Sequence, residues 1–132
     1  MSSKRGIAIA AIVATTIVGS ALAQTSRFLY YDMRQAREIN GTVQQLDWMN
    51  PNSELRVSVK NEATGKIEEW SFVMGPPTRS IRSGWSSDSL KRGDPVTLTM
   101  YPSRDGSHSG QLVSATLPDG RTLQATEPNP AR

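Results

Sequence analysis

The residue types able to carry chemistry are few in this chain and thinly spread. His108 is its single histidine, in the polar run Arg104-Asp-Gly-Ser-His108 beside Asp105. An imidazole next to a carboxylate can serve as a general base; a lone histidine beside a turn aspartate is far more often an ordinary solvated residue. No serine sits in a Gly-x-Ser-x-Gly elbow, the turn that exposes a hydrolase nucleophile. Cysteine is absent, which removes thiolate nucleophiles and soft metal sites. Glu68 and Glu69 are adjacent on a strand pattern and must point to opposite faces, so they cannot act as a pair. Asp88, Asp94 and Asp105 stand in separate loops, whereas oxygen-ligated metals need several carboxylates converging. No catalytic set, metal site or cofactor is expected from these patterns.

Aromatic residues offer a second kind of site. Trp48, Trp70 and Trp85 are the three tryptophans, and each can bury on the order of 200 Å². Their ordinary role is packing. The functional reading is an aromatic rim of Trp48 and Asn50 with Trp85 and Tyr101 as neighbours, where a polar ligand could stack. Arg79 and Arg82, three apart on a short helix, could add an anion contact.

Those residues need a scaffold, and the hydrophobic pattern supplies one with a period of two. Residues 38–49 read as a first strand with Val43, Leu46 and Trp48 apolar. The three-residue step from Val43 to Leu46 breaks alternation and predicts a bulge near Gln44-Gln45. Asn50-Pro51-Asn52-Ser53 is a turn. Residues 54–60 alternate cleanly, with Leu55, Val57 and Val59 on one face. A hairpin loop through Gly65 leads to a third strand over 66–74, with Trp70, Phe72 and Met74 inward. Pro76-Pro77 stops the sheet, and Thr78–Ser83 reads as a short helix ended by Gly84. Leu90 reads as a buried plug in the connection that follows. Residues 95–101, 111–117 and 121–125 form the remaining strands, with Asp-Gly turns at 105–106 and 119–120. Residues 32–38 could make two helical turns, though nothing caps them.

Three strands, a short helix and further strands is the order of a small all-β barrel of OB type. The expected fold is a five- to six-stranded antiparallel OB-like barrel with one short helix between strands 3 and 4. A partly open sheet roll is the alternative. Without disulfides, short strands gain from closure because it removes exposed edges.

The N-terminus is an address. Lys4 and Arg5 precede an uncharged, mostly apolar run, and Ser20-Ala-Leu-Ala23-Gln24 supplies an Ala-x-Ala site. That is the layout of a secretory signal peptide cleaved between Ala23 and Gln24. The expected organisation is a signal over 1–23, an N-terminal arm over 24–40, a barrel domain over 41–125 and a flexible tail over 126–132. Cleavage makes the protein periplasmic, with no stable membrane insertion. The alternative is an inner-membrane anchor formed by uncleaved residues 6–26, long enough to span at roughly 20 residues. Loss of Lys4 and Arg5 lowers the formal charge from +3 to +1. Nucleic-acid binding needs a clustered basic surplus, and none survives, so a nucleic-acid partner is not expected.

Several short pieces recur in a familiar order: Gly41-Thr-Val43, Trp48 with Asn50-Pro51, Gly65, Trp70 and Gly84-Trp85. They continue with Asp88-Ser-Leu90-Lys91, Gly93-Asp94, Val96, Asp105-Gly106-Ser107 and Asp119-Gly120-Arg121. In these the chain resembles an uncharacterised family of small exported bacterial proteins, a domain of unknown function with an OB-like barrel. The resemblance brings no settled activity. Many members carry paired histidines near the mature N-terminus and a histidine after the Asn-Pro, which implies a metal or ligand role there. Here Phe28–Asp32 holds no histidine and Asn52 follows Pro51.

Two function classes follow. The favoured one is an exported, non-catalytic binding or accessory module that holds an envelope protein, a glycan or a peptide. The other is a small metal-dependent or hydrolytic enzyme using His108 and Asp105.

Overall fold

A computed structural model of the protein describes residues 29–125. The signal segment expected over 1–23, its expected Ala23–Gln24 junction and the tail expected over 126–132 lie outside the described residues. The chain divides into two compact units, Met1–Tyr30 and Tyr31–Arg132, and the second carries the sheet. Among the described residues no helix is long and apolar enough to cross a membrane.

The described residues of this unit form six strands and one short helix: β1 (Arg37–Asp47), β2 (Glu54–Lys60), β3 (Ile67–Val73), α1 (Pro77–Arg82), β4 (Pro95–Pro102), β5 (Ser109–Thr116) and β6 (Thr122–Gln124). The sheet order is β3-β2-β1-β4-β5-β6, and β3 also pairs with β5. That last pairing closes β1 to β5 into a barrel, and β6 is an extra strand on β5. The connectivity is compatible with an OB-type barrel, and the open roll is not formed.

The barrel is mixed rather than antiparallel. Ser71–Val73 run parallel to Ser109–Gln111, while the other pairings are antiparallel. The reason is topological: β4 follows β3 through a long connection, so β5 returns along β3 in the same direction instead of as a hairpin partner.

Closing a sheet this small needs strong local curvature. Two irregularities supply it. In β1 the register skips between Val43 and Gln45, at the bulge that the Val43–Leu46 spacing predicts. A second skip falls between Thr99 and Met100 of β4, whose partners are Ser114 and Leu112. Val113 is therefore the extra residue of β5, and it turns outward. A bulge of this kind bends its strand and increases twist.

Inside, Val43, Leu55, Val57, Phe72, Leu98, Met100, Leu112 and Ala115 are fully buried. Met74, Trp85 and Leu90 join them from β3's end and the connection to β4. Leu90 is the plug expected there. Two glycines allow strands to approach. A Cβ on Gly110 would lie 2.6 Å from the Tyr101 carbonyl oxygen, and one on Gly41 would strike Val57 Cγ1.

A smaller apolar cluster lies outside the barrel. Tyr101 and Val113 pack with Met33, flanked by Tyr31 and Ala36. The two helical turns considered over 32–38 do not form. Tyr31 bridges Ser103, the Asp32 amide donates to the Pro102 carbonyl at 2.8 Å, and the chain enters β1 at Arg37. Covering the outward side of β4 and β5 wins over two uncapped turns.

The Gly110 contact sets a stability test. Gly110→Ala should lower stability by about 2 kcal/mol through overpacking against main chain, a fall in Tm of about 10 °C by calorimetry. An unchanged Tm would show that β4 and β5 can separate without loss.

Candidate functional site

The main polar constellation grows from β3, where the closing pairing ends. Successive side chains of β3 alternate, so Glu68, Trp70 and Phe72 share the inward face while Glu69 and Ser71 face out. Phe72 is sealed in the core. Trp70, two residues earlier, stacks on it at 5.9 Å and 14° and is half-buried against the core. Glu68 is one step further out, at the margin.

His108 comes to this place from the β4–β5 loop. The Ser71 amide donates to the His108 carbonyl at 3.1 Å, which fixes the main chain. The imidazole then lies over Trp70, ring centroids 5.1 Å apart and 20° from parallel. Its Nε2 is 3.5 Å from Glu68 Oε2. Glu68 in turn accepts from Trp70 Nε1 at 3.2 Å and from Asn61 Nδ2 at 3.0 Å. Asn61 is itself held, its Oδ1 accepting the amides of Ala63 and Thr64 in the β2–β3 hairpin. Three segments thus meet at one carboxylate. The Glu68 side chain is 21% exposed and His108 48%, so the cluster is open to solvent.

The Glu68 carboxyl is held below its ordinary value by the hydrogen bonds from Asn61 and Trp70, with a smaller contribution from His108. A carboxylate anchored in this way keeps its charge into acid solution. Glu69, on the other face, accepts from the Ser58 hydroxyl at 3.0 Å. The two glutamates do point apart.

The His108–Asp105 dyad of the alternative, enzymatic reading is not what the loop builds. Asp105 accepts the Ser107 amide at 2.9 Å, and Ser107 bonding lowers its proton affinity. It stabilises the Asp-Gly turn, where Gly106 has φ of 79°, while His108 faces Glu68. Among the described residues no three His, Asp or Glu groups converge as metal ligands.

The aromatic rim is divided. Trp85 is 2% exposed and donates Nε1 to the Gln124 carbonyl at 2.9 Å, so it pins β6 from within. Tyr101 is 1% exposed and sits under the 31–36 segment. Neither offers a ring to a ligand. Both were expected beside Trp48; burial of large rings in a domain this small wins over surface display. Trp48 is half-buried against the core, and Asn50 is exposed, its bond to Pro51 cis. Arg79 reaches the same end of the barrel. Its Cδ lies over Gly75, whose carbonyl accepts the Ser53 amide of the β1–β2 turn at 3.1 Å. Trp48, Asn50 and Arg79 therefore share one end.

A polar network covers the outward side of β1, β2 and β3. Arg56 donates to Asp47 at 2.9 Å, Ser71 to Glu54 at 2.6 Å, and Gln44 to Ser58 at 2.7 Å. Gln45 also bonds Asp47. These bonds tie the strands together across the face on which OB-type barrels commonly hold ligands.

The site missed by sequence reasoning is Trp70 with Glu68 and Asn61. The Glu-x-Trp step put two of these on one face, but only the β4–β5 loop brings His108 over them.

Fold and surface together define a small closed β-barrel protein whose polar chemistry lies at loop–strand junctions. The chain belongs to a family of unknown function, DUF6152, whose model matches residues 11–113. No curated protein matches it, and no solved structure does.

The carboxylate makes a pH test. Because the folded-state value of Glu68 is depressed, its stabilisation is present above the ordinary value of 4.5 and lost as pH falls through the lowered one. Wild type should exceed Glu68→Gln in Tm at about pH 7, and the gap should narrow and then vanish as pH falls below the ordinary value of 4.5 and through the lowered one. A gap independent of pH would assign Glu68 a packing role instead.

Proposed function

We propose that this protein is an exported, non-catalytic binding module that takes an extended segment of an envelope protein on the free edge of β3. The observation that carries this reading is the short reach of the closing pair: β5 covers only Ser71–Val73 of β3, and among the described residues Ile67–Trp70 pair with β2 alone. The Ser71 amide points toward β5, so the Glu69 amide, two residues earlier, points the same way and meets no strand among the described residues. Adding a strand to such an edge supplies main-chain hydrogen bonds, and neighbouring side chains choose the sequence. Those neighbours are the His108–Trp70 stack with Glu68 on one face and Ile67 on the other, 65% exposed. The charged Glu69 fits the same picture, because a charge on an edge discourages pairing with wrong partners.

Export rests on the basic start, apolar run and Ala-x-Ala site of residues 1–24. Mass spectrometry of the protein recovered from the periplasm should give a chain beginning at Gln24. A chain still starting at Met1 in the membrane fraction would favour the anchor over residues 6–26.

A photo-crosslinker at Ile67 should join the protein to one envelope partner. Glu69→Pro removes the outward amide while leaving the β2 side paired, and His108→Ala removes the stacked ring. Each should weaken partner binding at least tenfold, about 1.4 kcal/mol, with Tm held within a few degrees. Binding unaffected by both changes would sink the edge reading.

An enzymatic reading has one specific observation in its favour, the imidazole oriented by the Glu68 carboxylate, an arrangement that suits a general base. It requires turnover in a substrate screen that His108→Ala abolishes and Asp105→Asn spares.

A further inference from the structure

On another part of the barrel wall, away from β3, an open depression of about 210 Å³ is lined by Asn40, Gly41, Pro95, Val96, Thr97, Thr116 and Leu117. We propose that it binds one ring of a neutral glycan, with the chain of sugars running across β4, β5 and β6. Its polar groups are an amide and two hydroxyls; the remainder of its lining is apolar side chain or main chain. None of the lining residues is ionisable. A charged group seated there would lose hydration with no counter-charge to meet it, whereas a sugar ring presents both apolar C–H faces and hydroxyls.

Register gives the site a direction. Asn40 lies opposite Thr97, Thr97 opposite Thr116, and Thr116 opposite Thr122. This is one continuous row over four strands, with steps of roughly 4.8 Å. A second row, Glu38, Thr99, Ser114 and Gln124, runs beside it, roughly 6.8 Å away along the strands. The row is already organised: Thr97 Oγ1 donates to Asn40 Oδ1 at 2.7 Å, and the Thr116 and Thr122 hydroxyls are 3.0 Å apart. With its proton committed to Asn40, the Thr97 oxygen can still accept, and Asn40 Nδ2 can still donate. A sugar hydroxyl does both, so it matches this pair where an anion, which only accepts, matches half of it. The volume is below the roughly 300 Å³ at which pockets for drug-sized ligands begin, which suits a single six-membered ring.

None of these residues takes part in the β3 edge, so the two readings stand or fall separately. The test is an amide-resolved NMR titration of residues 24–132 with maltohexaose, cellohexaose and chitohexaose, and with an acidic oligogalacturonate. One neutral oligomer should shift the amides of Asn40, Thr97, Thr116 and Thr122 saturably. The double change Thr97→Val with Thr116→Val keeps shape and strand preference and should weaken that binding about tenfold or more. His108→Ala should leave it unchanged. No shift of those amides at about 10 mM sugar, shifts confined to other parts of the barrel, equal binding of the acidic oligomer, or full affinity in the double valine variant would each overturn the proposal.

Discussion

Three residue pairs hold this molecule closed. Ser71, Phe72 and Val73 meet Ser109, Gly110 and Gln111 in the parallel contact that turns an open six-stranded sheet into a barrel. Without it, the inward faces of β3 and β5 would no longer be neighbours. Phe72 and Leu112, both fully buried, would then have an open flank. A chain without cysteine cannot offset such a loss with a cross-link. The contact is short because it depends on curvature, which the bulges in β1 and β5 concentrate in a few residues. Gly110 serves the same end, since any side chain there would strike the Tyr101 carbonyl.

The brevity of that contact also shapes the surface. Where β5 leaves β3, the strand edge and the Trp70 ring would both lie bare. The β4–β5 loop covers part of this gap with His108, fixed by its own carbonyl to Ser71 and by its ring to Trp70. Glu68 then gathers the β2–β3 hairpin through Asn61. Closure and candidate site are consequences of one geometric fact, that two strands cross and share only three residues. The polar network of Arg56, Asp47, Glu54 and Ser71 on the outward face is a separate device. It ties β1, β2 and β3 together while leaving that face hydrated, where exposed ion pairs add little stability individually.

On the opposite flank, β4 and β5 would expose Tyr101 and Val113 if residues 31–36 did not fold over them. Their burial with Met33 makes the start of the barrel unit part of its structure. The family model, matching residues 11–113, likewise spans this lead-in and stops within β5.

Local pattern determined much of the architecture. Alternation placed β2 at residues 54–60, the uneven Val43–Leu46 step marked the bulge, and Asp-Gly pairs marked turns whose glycines have positive φ. These are properties of neighbouring residues, set by pleat, by sterics and by glycine's missing Cβ. The depth of Trp85 and Tyr101 was not legible, because alternation says which residues share a face but not what packs over them. The pairing of His108 with Glu68 was not legible either. They are forty residues apart in sequence, and only the parallel return of β5 along β3 brings them together. Sequence determined the strands and the turns; the tertiary structure alone decided where the closing contact ends and which side chains gather there, because closure is a long-range event that no local period encodes.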